Sequence, residues 1–178
     1  MRKKNISKLI FIFLSLLFSG AYHTEASAQK CKYKVDEVDP MSEERIRRSK
    51  MTMDGRDFVV NFYRKGDEFS VEMEVALIGE RNFVMPKGTE LKLKLGNDEI
   101  EEFPAVEKAT PLSYVAGTQV ATNYSASFSC SRAQMEALAE HGFKVVSIKL
   151  GDESLTRLVG KEKKIQQTKH NASCILEN

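Results

Sequence analysis

The stretch Phe58-Val59-Val60-Asn61-Phe62-Tyr63-Arg64-Lys65-Gly66-Asp67-Glu68-Phe69-Ser70-Val71-Glu72-Met73-Glu74-Val75 decides the fold. Its first seven residues are rich in aromatic and β-branched side chains, which suit a pleated strand. Lys65-Gly66-Asp67-Glu68 reads as a four-residue turn. Beyond it, Phe69, Val71, Met73 and Val75 alternate with Ser70, Glu72 and Glu74. Successive side chains of a strand point to opposite faces, so this alternation predicts one dry and one wet face. Two such strands joined by a glycine-containing loop make an antiparallel hairpin. The opposite register would bury unpaired carboxylates at a cost of several kcal/mol each. The apolar set therefore faces the core.

Working outward, Glu90-Leu91-Lys92-Leu93-Lys94-Leu95 repeats the alternation, with leucines inward and lysines outward. Pro86-Lys87-Gly88 and Gly96-Asn97-Asp98 bound it, and Ile100 to Phe103 reads as its short partner. Glu107 to Ser113 carries Pro111 and no pattern, which predicts a loop. Thr118 to Ser129 reads as one bent strand or two short ones. Ser131-Arg132-Ala133-Gln134 matches a capping box, Met135, Leu138 and Ala139 keep helical spacing, and Gly142 suits the position after a helix end. Phe143 to Leu150 returns as a strand, Gly151-Asp152-Glu153 turns, and Ser154 to Val159 is a further strand. From Lys161, the residues Ile165, Ala172, Ile175 and Leu176 keep a loose helical period. The expected class is mainly β: an antiparallel β-sandwich or half-barrel with one short helix and a C-terminal helix.

The N-terminus reads as an address label rather than as part of this domain. Arg2, Lys3, Lys4 and Lys8 precede an apolar run from Leu9 to Phe18, and Ala26-Ser27-Ala28 supplies the small residues of a cleavage site. Residues 1–28 are thus expected to be a signal peptide and 29–178 a single β-rich exported domain. The run is about ten residues, half of the roughly twenty that span a bilayer, so no stable membrane insertion is expected after cleavage. Cys31 follows Gln29-Lys30, which argues against lipidation there. Among the 178 residues, 27 Lys and Arg face 25 Asp and Glu; removing 1–28 leaves 23 against 24. That near balance, with no aromatic-laced basic strand, excludes nucleic-acid binding. The basic run Arg45, Arg47, Arg48 and Lys50 is expected to be answered by Glu43 and Glu44.

All three cysteines, Cys31, Cys130 and Cys174, lie beyond the leader. Periplasmic or extracellular surroundings favour oxidation. Three single pairings exist, and three reduced buried thiols are the alternative. Domain termini often lie close together, so placement favours a Cys31–Cys174 disulfide. Cys130 is then a free thiol. It precedes the helix cap, where amide dipoles can lower a thiol pKa, but a small buried hydrophobe is the plainer reading.

Residues that carry chemistry are few. No G-x-S-x-G, H-E-x-x-H, Cys-x-x-Cys, P-loop or G-x-G-x-x-G motif occurs. His141 ends a predicted helix, where a cation answers the dipole; His170, in a lysine-rich tail, is expected to be solvated. Asp98, Glu99, Glu101, Glu102 and Glu107 cluster in sequence, yet calcium binding and glycosidase chemistry need carboxylates that converge in space. A charged hairpin edge explains the cluster better. Asp54-Gly55-Arg56-Asp57 reads as a tight turn. These residues imply no cofactor, no metal and no catalytic set.

The opening Cys31-Lys32-Tyr33-Lys34-Val35-Asp36-Glu37-Val38-Asp39-Pro40, and the helix Ser131–His141 leading into Phe143–Leu150, resemble small uncharacterised exported proteins of Gram-negative gut and oral bacteria. The resemblance implies an envelope location and a β-rich fold, and brings no site residues. The expected function is a non-enzymatic exported domain that binds or supports another cell-envelope component, either a protein or a small ligand. The alternatives are a small enzyme with a thiol or carboxylate site, or a carrier of a small apolar ligand. A flat apolar patch or an open sheet edge marks the first, a pocket with convergent polar groups the second, and an interior cavity lined by Phe and Leu the third.

Overall fold

The alternating hairpin forms as β3 (Phe58–Lys65) and β4 (Glu68–Ile78), in the expected register with Phe62 opposite Val71. The structure, a computed structural model, describes residues 30–50 and 58–177; the signal-peptide reading of 1–28 and the turn read at 54–57 lie outside these residues. Phe69, Val71, Met73 and Val75 are buried and Glu74 is exposed. Two details differ from the sequence reading. The connection is a two-residue turn, Gly66-Asp67, because Lys65 and Glu68 still pair as strand residues. Gly66 takes φ 56°, the left-handed geometry such tight hairpins demand. Glu72 is largely covered, because Arg48, from the strand on the far side of β3, lies over it with Nε 2.6 Å from Oε2.

Before the hairpin come β1 (Tyr33–Val38) and β2 (Arg45–Ser49). After it come β5 (Glu90–Leu95), β6 (Ile100–Pro104), β7 (Leu112–Ala116) and β8 (Gln119–Cys130). Then α1 (Arg132–His141), β9 (Phe143–Leu150), β10 (Glu153–Leu158) and α2 (Glu162–Leu176) complete the chain. The strands build two antiparallel sheets, ordered β1-β2-β3-β4-β8-β7 and β10-β9-β5-β6. This is the mainly β, sandwich-like class read from the sequence, with its short helix and its C-terminal helix. The segment read as a loop up to Ser113 gives its last two residues to β7, and Gln119–Cys130 is one continuous strand rather than two.

The core follows from cross-strand rows. Phe58, Val75 and Tyr124 share one row, Val60, Met73 and Ala126 the next, and Phe62, Val71 and Phe128 a third. Leu91, Leu93 and Leu95 oppose them from the second sheet with Phe103, Val146 and Ile148, all buried. The rings of Phe62 and Phe143 meet edge to face across the sandwich at 6.3 Å. Each such large apolar side chain contributes about 1.5–3 kcal/mol by leaving water. Along one side the sheets are joined where Ala105 bridges Phe128.

The helices are placed by local rules. Ser131 caps α1 through its hydroxyl, and Gln134 reciprocates to the Ser131 amide, a complete capping box. Gly142 ends the helix at φ 63° and lies against α2, where an added Cβ would meet Thr168 Oγ1 at 2.6 Å. Thr168 uses that closeness, accepting from the Phe143 amide at 3.0 Å while donating to the Ile165 carbonyl at 2.8 Å. Among the described residues, no helix is long and apolar enough to cross a membrane.

Candidate functional site

Among the described residues, four strands form the sheet edges: β1, β7, β6 and β10. Three carry the features that discourage edge-to-edge pairing. β1 has Lys34, Asp36 and Glu37, β6 has Glu101, Glu102 and Pro104, and β10 has Glu153 and Arg157. β7 reads Leu112-Ser113-Tyr114-Val115-Ala116, with neither charge nor proline, and all five residues are exposed. It belongs to a charge-free run from Ala109 to Ser131 in a chain that is 29 % charged.

Both faces of this edge are apolar. Tyr114, Ala121 and Ile78 lie in one cross-strand row, with Ile78 72 % exposed. Val115, 74 % exposed, pairs with Val120 on the opposite face. A depression of about 380 Å³ lies here, lined by Leu77, Ile78, Tyr114, Ala116, Gln119 and Val120 among others. Sequence reasoning passed over β7. The signal that could have found it is the uncharged run itself, since an exposed strand ordinarily carries charge.

A second constellation lies where the start of β1 meets the end of α2. Cys31 and Cys174 form the disulfide expected from their placement, with Cα atoms 5.5 Å apart. His170 is not the solvated residue expected from its lysine-rich surroundings. It stands one helical turn before Cys174, half-buried, with Nε2 3.6 Å from Cys174 Sγ. The Glu177 carboxylate approaches from the other side, Oε1 3.2 Å from Cys31 Sγ. The two sulfurs and a ring nitrogen of His170 lie within 4.8 Å of one another.

Arginines hold this corner in place. Arg47 donates to the Glu177 carbonyl and stacks over the Tyr33 ring at 5.4 Å. Arg64 Nη1 reaches the same carbonyl at 3.0 Å, so two cations answer the negative end of α2. Tyr33 donates to the Cys174 carbonyl at 2.8 Å. Burial pushes its phenol up, with Glu177 and Asp36 adding to the rise and Arg47 and Arg45 opposing it. The basic run is thus answered by Asp36, at 2.7 Å from Arg45, and by Glu72 on Arg48. The sequence neighbours Glu43 and Glu44 do not fill that role.

The remaining expected residues do not converge. Asp98 takes Lys144 at 2.7 Å and Lys94 at 2.8 Å, and these ammonium groups hold its carboxyl down at about 2. Glu102 pairs with Lys92, Glu99 with Asn97, and Glu101 with Gln134, while Glu107 is exposed. His141 ends α1, 3.8 Å from Glu140. Cys130 is free and buried; desolvation, with Glu101 nearby, pushes its thiol up to about 12. Burial outweighs any help from the helix start, and the thiol is not activated.

Comparison with protein families, curated proteins and solved structures yields no match for this chain.

Proposed function

We propose that this chain is an exported, non-enzymatic binding module that takes up an extended, uncharged segment of another envelope protein as an added strand along β7. The observation that carries the reading is that, among the described residues, β7 alone of the four sheet edges lacks charge and proline. An unpaired strand edge offers main-chain hydrogen bonds to a partner, and side-chain depressions beside it supply selectivity. The charge-free run limits the occupant to a neutral segment, since a buried unpaired charge on the partner would oppose binding. Tyr114, Val115 and Ile78 supply apolar contact on both faces of the added strand. The disulfide and the absence of a membrane-crossing helix among the described residues fit an exported protein.

A photo-crosslinking residue at position 114, compared with one at Arg157 on the β10 edge, tests the site in the native envelope. A cross-link to another protein from position 114 only, lost on Val115→Lys and kept on Leu158→Lys, supports the proposal. Cross-linking to a second copy, or equal cross-linking from both edges, refutes it. Export is tested separately: N-terminal sequencing of the processed protein should begin at Gln29, and an intact Met1 on membrane-bound material refutes it.

A further inference from the structure

The corner where the start of β1 meets the end of α2 holds more than a staple. The geometry points to a metal site concealed by the disulfide: in the reduced protein, Cys31, Cys174 and His170, with Glu177 as the fourth donor, hold one Zn²⁺. His170 and Cys174 are four residues apart on α2, a spacing that places both side chains on one helical face. Cys31 reaches the same point from the other end of the domain. Glu177 Oε1 lies 3.2 Å from Cys31 Sγ, outside the group formed by the two sulfurs and the imidazole, and its exposed side chain has to turn inward to complete the set. Two thiolates, an imidazole and a carboxylate are a donor set suited to tetrahedral zinc.

The distances are close to those required. Zinc–sulfur bonds of about 2.3 Å and zinc–nitrogen bonds of about 2.1 Å put neighbouring donors just under 4 Å apart. The sulfurs and the ring nitrogen already lie within 4.8 Å, and the Nε2–Cys174 Sγ separation is 3.6 Å. Opening the bridge lets the sulfurs part by under about 2 Å, a change within reach of rotations about the cysteine side chains. Contacts independent of the bridge hold the backbone at Cys174 and Glu177. Tyr33 fixes the Cys174 backbone, and Arg47 and Arg64 fix the Glu177 carbonyl. Their positive charge also offsets a centre whose three anionic donors exceed the charge of the metal by one.

The switch is a two-electron thiol–disulfide exchange with a dithiol as reductant. One dithiol sulfur attacks Cys31 Sγ, the half-exposed member of the pair, and the S–S bond breaks with Cys174 leaving as thiolate. The second dithiol sulfur then attacks the mixed disulfide and releases Cys31 as thiolate, so the reductant departs as a disulfide. Zinc binding keeps both cysteines deprotonated and displaces whatever protons they have gained.

Cobalt titration of the purified protein tests this, with a phosphine used for reduction because a dithiol would compete for the metal. The reduced protein should take up one Co²⁺ with a thiolate charge-transfer band and the strong visible bands of tetrahedral cobalt, and Zn²⁺ should bleach both. The oxidised protein should show neither. His170→Ala should weaken binding at least about tenfold, the scale at which even outer-shell partners matter. Cys130→Ser should leave binding unchanged. Circular dichroism of the same samples reports whether α2 and the sheets persist. A reduced protein that unfolds, that gives no charge-transfer band, or that binds equally well after His170→Ala overturns the proposal.

Discussion

The hydroxyl of Tyr33 donates to the main-chain carbonyl of Cys174, so the residue that closes the disulfide is also held through its backbone by the first strand. The two contacts act at one joint between β1 and α2 with very different weights. Cross-linking residues 143 positions apart removes a long loop from the unfolded ensemble. The chain-entropy model sets that at roughly 5 kcal/mol or less, and about 2–4 is typical. Cys174→Ser should therefore lower unfolding stability by about 2–4 kcal/mol, and Tyr33→Phe by about 1 kcal/mol, a single hydrogen bond. Urea unfolding of both variants and of the double mutant checks this. Because the contacts share a residue, the two effects should add only in part. A Cys174→Ser protein as stable as the parent would show that the bridge is not formed in solution.

Cys130 should be chemically silent in the native state. Burial first, and then the Glu101 carboxylate, raise its thiol from an ordinary value of 9 to about 12. A raised folded pKa means the unfolded chain deprotonates first, so this group withdraws stability as pH climbs from about 9 towards 12 and is neutral to stability below that window. Thiol-reactive probes at pH 8 should label Cys130 only at the rate of unfolding. Fast labelling of the native protein would place the sulfur in solvent.

The start and the end of α1 should respond differently to alanine. Ser131→Ala removes an N-cap oxygen and should cost about 1 kcal/mol. Gly142→Ala meets two obstacles, a φ of 63° and a contact with Thr168 Oγ1 and the Ile165 carbonyl closer than 3 Å. Those neighbours belong to α2, so the damage should spread into the helix–helix contact and exceed the loss at Ser131. Thermal unfolding ranks the pair; a milder Gly142→Ala would mean that α2 yields readily.

Local rules made much of the fold legible. The period-two runs at Phe69–Val75 and Glu90–Leu95, and the capping box at Ser131–Gln134, are decided within a few residues, and each formed as read. What escaped did so for separate reasons. Glu72 is shielded by Arg48, which arrives by way of β2, and no alternation within β4 announces it. Lys65 and Glu68 look like turn residues because they are charged, yet they pair across the hairpin. His170 sits among lysines in sequence, yet it shares a helical face with Cys174, whose sulfur lies 3.6 Å from its Nε2. β7 left no periodic trace, since a strand exposed on both faces has no apolar side to repeat. Of the two constellations, the sequence showed the cysteine pair but neither His170 beside it nor the open edge.

The edge itself offers the sharpest separation of binding from folding. Val115 is 74 % exposed on a strand that pairs on one side only, so its side chain contributes little to the core. Val115→Lys should change unfolding stability by no more than about 0.5 kcal/mol, as surface substitutions generally do. Docking a strand there would bring that ammonium against a neutral backbone and apolar neighbours, at a desolvation cost that main-chain hydrogen bonds do not offset. Cross-linked partner recovered through position 114 should therefore fall to background while the melting curve stays where it was. Leu158→Lys is the matched control, because Leu158 is 76 % exposed at the end of β10, an edge already marked by Glu153 and Arg157. It should leave both readouts unchanged. If Val115→Lys lowers stability as much as capture, β7 is serving the fold rather than a partner, and the binding reading loses its support.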